Sequence, residues 1–248
     1  MHYLLYSKND NFPKGETADT TNLYPGDLLH LVFEFYCVTS ICVFTSMING
    51  ICAKTQIIWI LTTTSKQSSV GFIRFILITF NNEKRQSNLM RFDKDGTLEK
   101  TTYVNGLIVD EFNAALETTG GYASRINGNN ERQSSSIKKM VRAYLLNGNQ
   151  NENKWFYEAE TYPDIYRCKI YSSLDNASPH LFWYGKCTSI HELRAFGCDI
   201  YTIKPKPKKL ENRTQEGQLI GYINSRARIK WWDPHNKKIK HYSPAKSD

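Results

Sequence analysis

The residues best equipped for chemistry lie toward the end of the 248-residue chain, where Lys204, Lys206, Lys208, Lys209, Arg226, Arg228, Lys230, Lys237, Lys238 and Lys240 flank Tyr222, Trp231 and Trp232. Cations neutralise phosphates and aromatic faces stack on bases, so this mixture suits a nucleic-acid surface. From Ile203 to Asp248 there are twelve Lys or Arg against four Asp or Glu, while the first 202 residues hold twenty of each sign, so the whole net charge of +8 belongs to the tail. A basic module joined to a neutral one points to a polyanionic partner. Lys208, Lys209, Arg226, Arg228, Lys230, Trp231, Lys237 and Lys238 are the candidate contacts. The same residues leave open an alternative in which the tryptophans pack a small core and the lysines keep it soluble.

Other reactive residue types carry less. Cys37, Cys42, Cys52, Cys168, Cys187 and Cys198 form no CxxC pair and have no histidines at zinc-finger spacing, which argues against a structural zinc site. No signal-peptide pattern opens the chain, so they read as reduced thiols of the nucleus or cytoplasm. His191, His235 and His241 stand in no ligand spacing, and Asn176-Ala177-Ser178 fits a glycosylation pattern that means nothing without secretion. From Leu28 to Ala53 Glu34 is the sole Asp, Glu, Lys or Arg, but the density of Val, Ile, Thr, Phe and Tyr suits adjacent strands better than a membrane span.

The elements that must position these residues follow from periodicity. Residues 1–24 read as a loose polar leader. Leu28–Tyr36, Phe44–Ala53 and Gln56–Thr62 read as a three-stranded antiparallel meander. Ser68–Asn82 reads as a helix, Asn88–Asp93 as a fourth strand, and the helix between them and the meander implies a parallel crossover. Val104–Glu117 reads as a helix stopped at Thr118-Thr119-Gly120-Gly121, followed by a loop at Tyr122–Asn130 and a long helix over Glu131–Leu146. Trp155–Tyr171 reads as a helix broken or restarted at Pro163, and Ser178-Pro179 as a loop. From Asp199 onward, Ile200–Ile203, Leu219–Ile223, Ile229–Trp232 and Ile239–Tyr242 alternate with Lys, Gly, Asn and Pro, as in a small all-β module. Pro205 and Pro207 mark a stiff connector.

Several motifs in order carry a resemblance. Asn127-Gly128-Asn129-Asn130-Glu131-Arg132, Met140-Val141-Arg142-Ala143, Trp155 with Glu158-Ala159, Ser178-Pro179-His180, Trp183-Tyr184-Gly185-Lys186 and Leu193-Arg194-Ala195-Phe196-Gly197-Cys198 resemble the integrase region of copia-type LTR retrotransposons. Lys208-Lys209-Leu210, Gly221-Tyr222 and Trp232-Asp233-Pro234 resemble the SH3-like domain that follows it. The resemblance covers roughly residues 25–242 and implies an α/β RNase H-like core over 25–195, then a small all-β SH3-like barrel over 196–248.

In that family three carboxylates hold two magnesium ions, since hard divalent cations take oxygen ligands and the pair stabilises both oxygens of an in-line phosphoryl displacement. The resemblance places Asp93 at the second carboxylate and Glu131 at the third, as catalytic and metal-holding positions. Thirty-seven residues separate Asp93 from Glu131 and thirty-five separate Asp95 from it, so spacing leaves Asp95 a rival and strand context favours Asp93. Without the resemblance, both residues would read as an acidic turn and a helix-start carboxylate.

The first carboxylate position is held by Val32, which cannot ligate a cation. Glu34 is on the same strand face but about 6–7 Å along it. Ser124-Arg125-Ile126 also replaces the family's Pro-Gln-Gln, and no His-His-Cys-Cys module, protease or reverse transcriptase accompanies the core. The expectation is a retrotransposon remnant, a pseudoenzyme with Mg²⁺ only as an ancestral cofactor. It would bind DNA without sequence preference, associate with further copies of itself, and make no use of a membrane. The alternatives are an active magnesium-dependent strand transferase using Glu34, Asp93 and Glu131, and a host-adopted protein-interaction module.

Overall fold

The computed structural model describes residues 22–35, 40, 42–64, 68–92, 106–118, 124–147, 151–191, 193–204, 207–223 and 228–242, without the side chains of Glu34, Phe35, Ser68, Ser69, Leu107, Thr118, Asn147 and residues 124–131. The meander expected from the sequence is present as β1 (Leu28–Phe35), β2 (Ser46–Cys52) and β3 (Ile58–Thr63), paired antiparallel. Helix α1 (Ser68–Asn82) then crosses over to β4 (Leu89–Phe92), which lies parallel to β1 with Leu31 opposite Phe92. A fifth strand, β5 (Ala115–Thr118), extends the sheet parallel to β4 and gives the order β3-β2-β1-β4-β5.

Period-two alternation splits each strand between two apolar layers. One sheet face sends Leu29, Leu31, Ile48, Met90 and Phe92 against Phe72, Ile73, Ile76, Leu77 and Phe80 of α1. Gly50 permits that approach, because a Cβ there would stand 3.1 Å from Ile76 Cδ1 and 3.0 Å from Leu31 Cδ2. The other face packs Met47, Ile51 and Ile58 against α2 (Ser124–Asn147) and α3 (Trp155–Tyr166). Helix α4 (Pro179–Tyr184) delivers Trp183 into the α1 layer, where its ring meets Phe80 at 4.9 Å and Trp59 at 5.4 Å.

Four readings of the sequence need correction. Val104–Glu117 is not one helix: a single π-helical turn covers Gly106–Glu111, Asn113 turns back with φ of 50°, and Ala115–Thr118 joins the sheet. Sheet pairing outweighs the helical spacing of Leu107, Ile108, Phe112 and Leu116, which is weak evidence over so short a stretch. The loop read at 122–130 is helical from Ser124 onward, since propensity at Asn-Gly-Asn-Asn is a weak prior against an extended helix. Helix α3 runs through Pro163 without interruption and ends at Tyr166. Ser178-Pro179 starts α4, with Ser178 Oγ accepting from the Leu181 amide at 3.2 Å.

The tail forms a separate antiparallel sheet of β6 (Asp199–Ile203), β7 (Thr214–Ile223), β8 (Arg228–Asp233) and β9 (Lys238–Tyr242), in that order. One face packs on α3: Ile220 joins the same core as Trp155, Phe156 and Tyr162, and Lys154 lies over the Trp232 ring at 4.7 Å. Thr161 Oγ1 donates to the Ile220 carbonyl at 3.3 Å, at a register shift between Leu219 and Gly221. The opposite face carries Trp231, 2% exposed, laid over Gly217. A Cβ at Gly217 would come within 2.2 Å of that indole.

Gly217→Ala is therefore expected to destabilise the chain by about 3 kcal/mol through overpacking. A urea titration followed by tryptophan fluorescence measures it, and an unchanged midpoint would contradict the packing described for Trp231.

Candidate functional site

The elements that the resemblance assigns to a metal site do meet on one sheet face. Val32, the residue in the first carboxylate position, is 8% exposed in the middle of β1 and pairs with Asn49 of β2. Asn49 Nδ2 donates to Ser134 Oγ of α2 at 3.2 Å, which ties the helix to the strand pair beside Val32. Glu131 occupies α2 three residues before Ser134, on the same side of the helix by its 3.6-residue repeat. Its side chain is outside the described residues, as is that of Glu34. Asp93 and Asp95 lie wholly outside them, just past Phe92 at the end of β4.

β1, β4 and α2 thus lie together at one sheet face, and Val32 presents only methyl groups there. Among the described residues no group of three or more His, Cys, Asp or Glu is placed to hold a metal ion. Val32, at the position that the resemblance gives to the first carboxylate, supplies no oxygen for a hard divalent cation.

The same sheet face holds charged groups that the sequence reading passed over. His30 stands opposite Arg91 in the β1–β4 pair, each 3% exposed. Arg91 donates through Nε and a terminal nitrogen to Glu117 Oε2 at 2.9 and 2.8 Å, across to β5. Burial, and secondarily the Arg91 guanidinium, lowers the His30 pKa to about 3, which leaves the ring neutral. Arg91 in the apolar run Leu89-Met90-Arg91-Phe92 was the available signal: on a strand buried on both faces, a lone cation requires a partner.

Glu158 is a further buried ionisable group, 0% exposed on α3, with neither carboxyl oxygen hydrogen-bonded. Burial pushes its carboxyl up to about 8, against the weaker pull of its own backbone amide and of Lys154. It is neutral at physiological pH.

The basic residues of the tail sort by position. Lys208, Lys209, Arg228, Lys237 and Lys238 are exposed, whereas Arg226 is outside the described residues. Lys230 is half-buried and paired at 3.2 Å with Glu160, which also accepts from Thr62 of β3 at 2.8 Å. Trp231 is held inside the sheet, leaving no face for a base to stack on: Gly217 lies on one side, and on the other is the Lys240 ammonium, 5.2 Å from its centroid. That ammonium is itself bound by Asp233 at 2.6 Å and Gln215 at 3.0 Å. The register places Lys208, Lys209, Lys237 and Lys238 at one end of the sheet and Arg228 at the other.

No family model and no curated protein matches the sequence. In architecture the chain is similar to one in the cryo-EM structure of the simian T-cell lymphotropic virus intasome in complex with PP2A regulatory subunit B56 gamma, with a TM-score of 0.56 at 9% identity over 96% of this chain and 82% of that one. The fold is integrase-like. The HTLV-2 integrase catalytic core domain, solved in complex with magnesium in a dimeric form, aligns with 65% of this chain and 98% of its own length, at 12% identity and a TM-score of 0.47. At such identities the integrase-like description is one of architecture, and the chemistry rests on the residues in place. No helix among the described residues is long and apolar enough to cross a membrane.

The buried carboxyl of Glu158 sets a pH dependence. Its folded pKa of about 8 lies above the ordinary 4.5, so the folded state binds the extra proton between those values and stability falls as pH rises through that window. The expected slope is up to about 1.4 kcal/mol per pH unit. Thermal melts from pH 4.5 to 8.5 should show this decline in the wild type and its loss in Glu158→Gln; parallel curves would mean that Glu158 is ionised in place.

Proposed function

We propose that this integrase-like chain derives from a copia-type retrotransposon integrase that has lost strand transfer and kept a nucleic-acid-binding module. In this reading residues 25–195 form the core unit and 196–248 an SH3-like barrel, working in the nucleus or cytoplasm. Val32 carries the reading: it sits buried in β1 at the position that the resemblance gives to the first carboxylate, and a valine supplies no oxygen to two-metal chemistry. Magnesium is then an ancestral cofactor of Asp93 and Glu131 with no productive role. Exposed Lys208, Lys209, Arg228, Lys237 and Lys238 support contact with phosphates of any sequence, and Arg226 belongs to the same proposal.

Magnesium titration by calorimetry, with nicking of a labelled DNA end run in parallel, tests the loss of catalysis. The wild type should show no saturable heat and no nicking; either signal in the wild type, removed by Glu131→Ala, overturns the claim. Binding to mixed-sequence duplexes should weaken with salt at a log–log slope of about −0.9 per phosphate contacted. A flat salt response would remove the nucleic-acid half of the proposal.

A further inference from the structure

The four-stranded sheet curls until its two edges face one cavity. Thr202 of β6 and Tyr242 of β9, from the first and last strands in the order, both line a space of about 250 Å³, together with Gln215, Trp231 and Lys240. Strand alternation puts these five side chains on one face. Thr202 pairs with Gln215, Gly217 two residues on lies under the Trp231 indole, and Lys240, opposite Trp231, is two residues from Tyr242. This is the face turned away from α3.

Thr202 is the anomaly in that lining. It is 3% exposed, yet its hydroxyl has no hydrogen-bond partner among the described residues. A buried hydroxyl ordinarily has one, because burial without it costs free energy. Directly across the strand pair, Gln215 turns its carbonyl oxygen to the Lys240 ammonium at 3.0 Å, so the donating Nε2 is the end of the amide left for another group. Asp233 holds the same ammonium at 2.6 Å and cancels its charge. The lining therefore offers a hydroxyl and an amide donor beside aromatic and methylene surface, without net charge. It suits a neutral ring bearing carbonyl oxygens and disfavours an anion, whose burial near the Asp233 carboxylate would be costly. The space is smaller than the roughly 300–1,000 Å³ of pockets for drug-sized ligands, which matches a single ring.

Exposed cations stand at both ends of the sheet, Arg228 at one and Lys208, Lys209, Lys237 and Lys238 at the other. A ligand that is neutral at its tip and anionic along its length is a nucleotide in a strand. Thymine and uracil carry two carbonyl oxygens, and adenine has none. We propose that the cavity receives one unpaired thymine or uracil base of a single-stranded nucleic acid, with Thr202 Oγ1 and Gln215 Nε2 donating to its carbonyls. Trp231, covered on both faces, contributes only a ring edge. The proposal rests on the nucleic-acid reading above and adds to its sequence-blind phosphate contacts a preference for unpaired strand, since a base inside a duplex cannot enter a pocket.

Fluorescence anisotropy of the full chain with labelled oligo-dT and oligo-dA of equal length tests it. The wild type should bind oligo-dT about tenfold more tightly. Thr202→Val should cut that ratio about fivefold while leaving the oligo-dA affinity and the salt slope unchanged. It should not lower the urea midpoint, because the hydroxyl it removes has no partner in the free protein. Gln215→Glu, which keeps an oxygen for Lys240 and replaces the donor by an acceptor, should abolish the preference. Equal binding of the two strands by the wild type, or a ratio untouched by both variants, overturns the base site while nucleic-acid binding stands. If the wild type binds neither strand nor any duplex, the nucleic-acid reading falls and the base site with it.

Discussion

Helix α3 has almost no side left for water. Nine of its twelve residues are buried, because the five-stranded sheet lies on one flank and the four-stranded sheet on another. Much of what is unusual in the chain follows from that enclosure. Pro163 is tolerated inside the helix because packing on several sides outweighs the roughly 3 kcal/mol that an interior proline costs. The Phe156 ring lies tilted against Phe44 at 5.2 Å, and the Tyr162 and Tyr166 rings are 5.4 Å apart in the same layer. Glu158 cannot reach water and so keeps its proton. Even the second sheet's bulge is shaped by the helix, for a Cβ on Gly221 would stand 2.9 Å from Thr161 Oγ1.

The core was legible where periodicity and length agreed. The meander, α1 over Ser68–Asn82 and the parallel fourth strand are all visible in alternation and in runs of β-branched residues, and the four tail strands show the same alternation between turn residues. Short elements were not legible. Val104–Glu117 offered apolar spacing compatible with a helix, and only β4's need for a neighbour draws Ala115–Thr118 into the sheet. The start of α2 was hidden for a related reason, since Asn127-Gly128-Asn129-Asn130 favours turns locally. At the candidate site, Val32 could be placed from motif order, but the His30–Arg91–Glu117 contact joins three strands and no linear spacing reveals it.

Composition also overstated one thing. The tail's surplus of eight positive charges pointed to a polyanionic partner, yet several of its cations are bound to other side chains of the molecule. Lys204 fastens Glu211, Lys230 bridges to the core through Glu160, and Lys240 closes the sheet through Asp233 and Gln215. The two tryptophans divide in the same way: Trp231 fills the sheet face away from α3, and Trp232 turns toward α3 beside Lys154. Among the described residues, Lys208, Lys209, Lys237 and Lys238 face outward at one end of the sheet and Arg228 at the other.

The contact between Gly217 and Trp231 reaches beyond stability. An indole within 2.2 Å of a glycine's missing Cβ means that neither position can drift alone. A side chain at 217 would meet the Trp232 carbonyl oxygen at 2.5 Å as well as the indole, so shrinking residue 231 does not make room for it, while a smaller residue at 231 leaves a void that 217 cannot fill. If selection on catalysis has lapsed, substitutions should accumulate freely around Val32 while this pair stays as it is. The two regions of the chain would then keep different evolutionary clocks, one set by lost chemistry and the other by packing.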